Sequence, residues 1–434
     1  MEPKHETKKL WINSFWRLSQ VVSSGGFAAL FSFIYTATLS KAEFTVYGVA
    51  ITVAQLLQLL SNFGLRQTAT RFIARSRGAG NFTDVVGFVR AGVRLAVGFS
   101  AAALVLAVLA NPWITGFLSD DGGHALVALA VALIAGFAGI SLFLQGVLEG
   151  IGNFKPITLC SAALNLVQLA LVGAFFFLGL SVTIVMFIEL GVMAASILFY
   201  GSQVLRAYRR WPRERVPLAP YRRQMMVYAV PLFINMVAGF LYTKVDILFV
   251  KAFTGGGDTA DYFLMMHVYS FPLQALGAYI FVLNTDIAYL VGQKDTERIS
   301  RLFYRSEKMG LFFGLGMSVL FYFLSYLVVA IFPNYEGAGH LMRLVSPLLL
   351  LKSVSHIASG AFMTSLGYVR AMAGFTIFGG CLNVGLNWLL IPTFGVDGAV
   401  YSTLIGHTLN GGIFLVFIWR KIRHIRRTGE LQHA

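Results

Sequence analysis

The chain has 434 residues, of which 57% are hydrophobic and only 12% charged, with a mean hydropathy of +0.72 and a formal net charge of +15. Soluble domains carry roughly 25% charged residues, so a soluble globular protein is excluded. Many apolar runs of about 20 residues could each cross a bilayer as a helix, and their continuity excludes the alternating pattern of a membrane β-barrel.

About twelve helical spans are expected, near residues 11–38, 44–65, 91–110, 125–147, 157–179, 182–204, 225–250, 262–289, 309–332, 341–363, 371–391 and 398–419. The N-terminal stretch MEPKHETKKLWINSFW lacks a small-residue cleavage site, so the first span is expected to be retained. That span opens with Arg17 and contains no acid. The second aligns Gln55, Gln58 and Asn62 on one face, with Arg66 one turn below. Carboxamides commonly bind helices to one another in lipid, while a guanidinium at the mouth of a span suits bidentate contact with a phosphate. Glu149 follows the fourth span and Glu189 lies within the sixth.

The longest polar interruption, RAYRRWPRERVPLAPYRR from Arg206 to Arg223, reads as a linker. It divides the chain into an N-terminal bundle (1–205) and a C-terminal bundle (224–420), followed by a basic tail (421–434). Six spans on each side preserve orientation, so the halves form a parallel repeat. GNFKPITLCSAALNLVQL, with Gly152, Lys155 and Asn165, is matched by GYVRAMAGFTIFGGCLNVGLNW, with Gly367, Arg370 and Asn383, if an insertion is allowed.

In the second half, Lys244 and Asp246 occupy the outer part of the seventh span. Two residues apart, they face different ways, and Asp246 is placed at the membrane boundary. Asp286 ends the eighth span. Lys352 is central in the tenth, followed by Ser355, His356 and Ser359 at i+3, i+4 and i+7, a polar stripe suited to a water-filled wall. Asn383 and Asn387 are expected to hydrogen-bond between helices, and Pro392 to Gly398 to form an external turn. His407 sits mid-span between Thr403 and Asn410, as apt for packing as for function. Cys160 and Cys381 both fall inside spans and read as small packing residues.

The charge is distributed by topology. Lys and Arg crowd the ends and loops of one side, while the other keeps only Lys41, Lys251 and Arg343. By the positive-inside rule both termini are cytoplasmic, and the basic excess implies contact with anionic lipids, not with nucleic acid. No metal-ligand cluster, nucleotide loop or nucleophile elbow is present, so neither catalytic residues nor a cofactor or metal are assigned.

LNVGLNWLLIPTFGVDGAVYSTLI, LSKAEFTVYGVAITVAQLLQLLSNFGL and PLFINMVAGFLYTKVDILFV resemble the polysaccharide-flippase (Wzx-like) branch of the multidrug/oligosaccharidyl-lipid/polysaccharide (MOP) exporter superfamily. Thr45 after Glu43-Phe44 and Asp261-Tyr262-Phe263 depart from its loop patterns. The resemblance implies an all-α membrane protein with two pseudo-symmetric six-helix bundles around a central cavity in the bacterial inner membrane. It also implies alternating-access transport of a polyprenyl-diphosphate-linked oligosaccharide, such as an O-antigen, capsule or exopolysaccharide repeat unit.

By position and chemistry, Lys352, His356, Lys244, Arg66 and His407 are the candidates for head-group contact. Asp286, Glu149, Glu189 and Asp246 are the candidates for ion coupling or gating. Expected partners are the lipid-linked oligosaccharide, membrane lipids, H⁺ or Na⁺ as a coupling ion, and polysaccharide polymerase or export proteins. Two alternatives remain open: an ion-coupled multidrug antiporter of the same superfamily, disfavoured by the acid-free first span, and a glycan polymerase or ligase, disfavoured by short external loops.

Overall fold

The structure, a computed structural model, describes residues 3–118, 123–211 and 216–429. Linker residues Arg213 and Arg215, and the side chain of Arg17, lie outside what is described. The protein is an all-α membrane protein. Among the described residues there is no strand, and eleven helices are long and apolar enough to span a bilayer. The first expected span lies in α1 (Pro3–Thr38). By packing, the chain forms two compact units, Met1–Val237 and Ala238–Ala434.

The first unit contains α1, α2 (Lys41–Asn62), α3 (Leu65–Gly78), α4 (Phe82–Leu109), α5 (Asn111–Leu118), α6 (Ala125–Gly150), α7 (Phe154–Leu178), α8 (Val182–Tyr208) and most of α9 (Leu218–Thr243). Its helix starts are written locally. Ser40 and Glu43 form a reciprocal capping box at α2, and Asn81 and Ser181 cap α4 and α8. Between α2 and α3 the chain turns through Phe63 and Gly64, both at positive φ (42° and 72°). α6 is buried along most of its length and packs on α2, α3, α4 and α8. Glycines make this possible: a Cβ on Gly139 would stand 2.4 Å from the Ser61 carbonyl oxygen, and one on Gly146 2.4 Å from that of Arg66. In lipid, such close backbone approach supplies association that apolar burial alone does not. The large apolar side chains that remain exposed, among them Leu109, Phe177 and Leu198, suit contact with hydrocarbon.

The second unit holds the end of α9, α10 (Asp246–Thr254), α11 (Gly256–Gly292), α12 (Thr296–Ile331), α13 (Glu336–His356), α14 (Val369–Phe394) and α15 (Val396–Thr428). α13 is its central helix, packed on α11, α12 and α15. Three sequence expectations are corrected here. The seventh span, expected as one helix over 225–250, breaks after Thr243 and restarts at Asp246. The polar stripe of the tenth span does not keep α-helical spacing, because Ile357–Met363 is a π-helix that shifts Ser359 relative to Lys352. The turn expected over Pro392–Gly398 shrinks to Gly395 at φ 63°, since α14 continues through Pro392. The carbonyl that Pro392 leaves without its helical donor belongs to Trp388, an exposed residue (64%) near the helix end.

Helix starts also fix the repeat register. Gly152 (φ 74°) and Gly367 (φ 87°) stand just before α7 and α14, which begin at Phe154 and Val369. Counted from these starts, no insertion is needed, and the counterpart of Asn383 is Gln168, not Asn165. Counted from their own helix starts, α2 and α11 pair Tyr47 with Tyr262, and α8 and α15 pair Glu189 with Thr403.

Candidate functional site

The break between α9 and α10 places Asp246 at the first position of a new helix, where free backbone N–H groups and the helix dipole favour a carboxylate. Asp246 is not at the membrane boundary but 2% exposed inside the second unit. Its Oδ1 accepts from Asn383 Nδ2 at 2.8 Å and Asn387 Nδ2 at 2.6 Å, and its Oδ2 from the hydroxyls of Tyr262 and Thr403, both at 3.1 Å. Asn387 also donates to Asn383 Oδ1 (2.9 Å), which receives Ser402 Oγ as well (3.0 Å). All four groups on the carboxylate are neutral donors. The carboxylate is thus held by hydrogen bonds and not by an ion pair, and beside it Asn387 Oδ1 is buried without a hydrogen-bond partner.

Next to this cluster lie the basic groups. Lys352 is buried in α13, its Nζ 5.5 Å from the centroid of the Tyr269 ring. It is within electrostatic range of both Asp246 and Lys244. Neither lysine forms an ion pair among the described residues. Lys244 is exposed at the surface of the unit, as is His356, whereas His407 is buried. His407 Nδ1 pairs with the Tyr242 hydroxyl at 2.5 Å, and both His407 and His356 feel the Lys352 charge. The second unit therefore gathers Lys244, Lys352, His356, His407 and Asp246 into one polar tract that reaches its surface.

Comparison with known proteins now bears on the fold. The polysaccharide biosynthesis protein family is matched over residues 10–283, more than half of the chain. The chain belongs to that family. It is also 20% identical over 434 residues to the uncharacterized membrane protein MJ1068 of Methanocaldococcus jannaschii, covering 94% of this chain and 84% of the relative. The probable multidrug resistance protein NorM of Chromobacterium violaceum is 25% identical over 227 residues, 49% of this chain and 47% of that protein. Among solved structures, an inward-facing MATE-family multidrug resistance transporter of the MOP superfamily superposes with a TM-score of 0.75 at 15% identity, covering 96% of both chains. The fold is that of the MOP superfamily.

In this member of the family, the first unit has a smaller, half-buried acidic cluster. Gln168 Nε2 donates to Glu189 Oε1 at 2.7 Å and lies 3.4 Å from the Tyr35 hydroxyl. Tyr47 is within electrostatic range of Glu189. No cation pairs with Glu189 among the described residues. Arg66 is engaged within its own unit: its Nη2 meets Glu149 Oε1 at 2.6 Å, and Thr70 Oγ1 donates to Oε2 at 3.1 Å. Asp286 is exposed and lines a pocket of about 480 Å³ with Tyr289, Arg298, Arg301 and Arg305. Among the described residues no group of three His, Cys, Asp or Glu side chains could hold a metal.

Sequence reasoning missed three members of the second unit's tract and one of the first unit's acidic cluster. Tyr262, Tyr269, His267 and Gln168 sit in helices whose apolar patterns gave them no prominence. His267, bonded through Nδ1 to the Phe263 carbonyl at 3.2 Å, feels the Lys244 charge. The signal for Gln168 was available only through the repeat register.

Proposed function

We propose that the protein is a transporter that moves a polyprenyl-diphosphate-linked oligosaccharide across the cytoplasmic membrane by alternating access. The observation that carries this reading is the pair of lysines in the second unit. Asp246 is close enough to moderate the charge of Lys352, yet its oxygens are already filled by four neutral donors. Two ammonium groups without ion-pair partners among the described residues, one of them shielded from water, suit an oxyanion of more than one charge. A diphosphate has that charge, and the histidines, serines and carboxamides around the lysines suit sugar hydroxyls. Membership of the polysaccharide biosynthesis protein family supports the glycan part of the reading.

The test is reconstitution in proteoliposomes with a fluorescent lipid-linked diphosphate oligosaccharide. Wild-type protein is expected to move it between leaflets, and Lys352→Ala to slow movement about tenfold or more at equal protein abundance, as loss of a charge-assisted contact implies. Absence of movement by wild-type protein, or wild-type rates in Lys352→Ala, would overturn it.

A second reading, ion-coupled efflux of cationic drugs, is favoured by one feature, the half-buried Glu189 with its amide partner in the first unit. The likeness to NorM over half the chain is consistent with it. Export of a cationic dye by the same vesicles, without movement of the lipid-linked glycan, selects this reading.

A further inference from the structure

We propose a binding site for a phosphate-bearing lipid on the first unit, between α3 and the beginning of α9. Phe72 of α3 and Ala219, Pro220, Arg223, Val227 and Tyr228 of α9 wall an open pocket of about 770 Å³. Its floor is apolar, with Val227 70% exposed, and among the described residues no carboxylate lines it. Phe72 is fixed in place by stacking on Phe88 (4.8 Å between centroids) and by an edge contact with Tyr228 (5.8 Å).

Charge is added by two arginines. The guanidinium carbon of Arg71 lies 4.4 Å over the Tyr228 ring, and Arg223 belongs to the wall itself. Both are exposed, and neither forms an ion pair among the described residues. A guanidinium stacked on an aromatic face is held in orientation while its N–H edges stay open to oxyanions. α9 begins its membrane-length apolar run at this point, so the pocket stands at the level where head groups meet acyl chains. An apolar floor beside two oriented cations fits an amphiphile with a phosphate head and a hydrocarbon chain. The site is built from residues of the first unit alone and does not depend on what the polar tract of the second unit carries.

The test uses the full chain in neutral phosphatidylcholine nanodiscs with three probes: farnesyl diphosphate, phosphatidylglycerol and inorganic diphosphate. Bound probe is counted by native mass spectrometry. At least one of the two lipids is expected to bind, with a loss of about fivefold or more in affinity in Arg71→Ala/Arg223→Ala. Val227→Asp, which sets a carboxylate on the floor, is expected to weaken the same probe. Melting curves of both variants check that folding is intact, as their exposed positions imply. The lipid retained names the source, a single-chain isoprenyl diphosphate or a two-chain phospholipid. Failure of both lipids to bind, equal binding by the double variant, or equally tight binding of inorganic diphosphate would each overturn the proposal.

Discussion

Gln168 and Asn383 stand at the same position of their repeats, and each donates its side-chain amide to a carboxylate, half-buried Glu189 at 2.7 Å and buried Asp246 at 2.8 Å. The carboxamide position is common to both units, while the acid has moved. Glu189 is the counterpart of Thr403, and Thr403 donates to Asp246, which arises from the helix break before α10. The two clusters also differ in saturation. Asp246 takes four neutral donors, whereas Glu189 takes one amide, and that difference sets the first three predictions.

Removing a donor from Asp246 should destabilise the second unit. Asn387→Leu and Asn383→Leu each leave Oδ1 with one fewer hydrogen bond in a site without water to replace it. A loss of about 1–3 kcal/mol is expected for each, read as a lower melting temperature of the purified protein in detergent. The effects should not add, because both amides serve the same oxygen. An unchanged melting temperature in both would show that the cluster contributes nothing to stability.

Charge and hydrogen bonding at this position can be separated. In Asp246→Asn the amide oxygen still accepts from Asn383 and Asn387, and the Tyr262 and Thr403 hydroxyls can rotate to accept from the new NH₂ group. Stability is therefore expected to stay within about 1 kcal/mol of wild type, while Asp246→Ala, which strands the Tyr262 hydroxyl and takes one bond each from Asn383, Asn387 and Thr403, should lose about 3 kcal/mol. Because Lys352 would then lack its moderating charge, Asp246→Asn should bind a diphosphate lipid more tightly than wild type. Weaker binding by Asp246→Asn would show instead that the carboxylate serves to keep Lys352 charged.

Glu189 is the better-placed group for taking up and releasing a proton, since its Oε1 is met by a neutral amide and among the described residues no cation pairs with it. Glu189→Gln keeps a partner for Gln168 and should fold normally. In vesicles it is expected to transport at a rate independent of an imposed pH gradient, in contrast to wild type. Retention of full gradient dependence in Glu189→Gln would assign coupling elsewhere.

The fold was legible because span length and hydropathy report directly on a bilayer-crossing helix. The tract was legible in part, because an intramembrane lysine such as Lys352 is conspicuous in any apolar run. Its partners were harder to see. Asp246 looked like a boundary residue only because the helix break at Lys244–Val245 leaves no Pro or Gly in the sequence to announce it. Asn383 and Asn387 were read correctly as hydrogen-bonding between helices, but not that they converge on a carboxylate of α10. Such convergence depends on helix rotation, which local spacing does not encode.

The Arg66–Glu149 pair gives a last prediction, on which the role of Arg66 turns. The arginine side chain is 23% exposed and the glutamate 9%. Arg66→Ala leaves a nearly buried carboxylate deprived of its guanidinium, whereas Glu149→Ala leaves an arginine long enough to turn its head group toward water. Arg66→Ala should therefore destabilise the first unit by about 2 kcal/mol, Glu149→Ala by less, and the double variant by less than Arg66→Ala alone. Thermal melting of the three proteins measures the cycle. If Arg66→Ala melts like wild type and yet slows translocation of the lipid-linked glycan, the guanidinium works on the cargo and its bond to Glu149 is incidental. If melting falls in the expected order, Arg66 is a structural tie between α3 and α6, and cargo contact rests on Lys352 and Lys244.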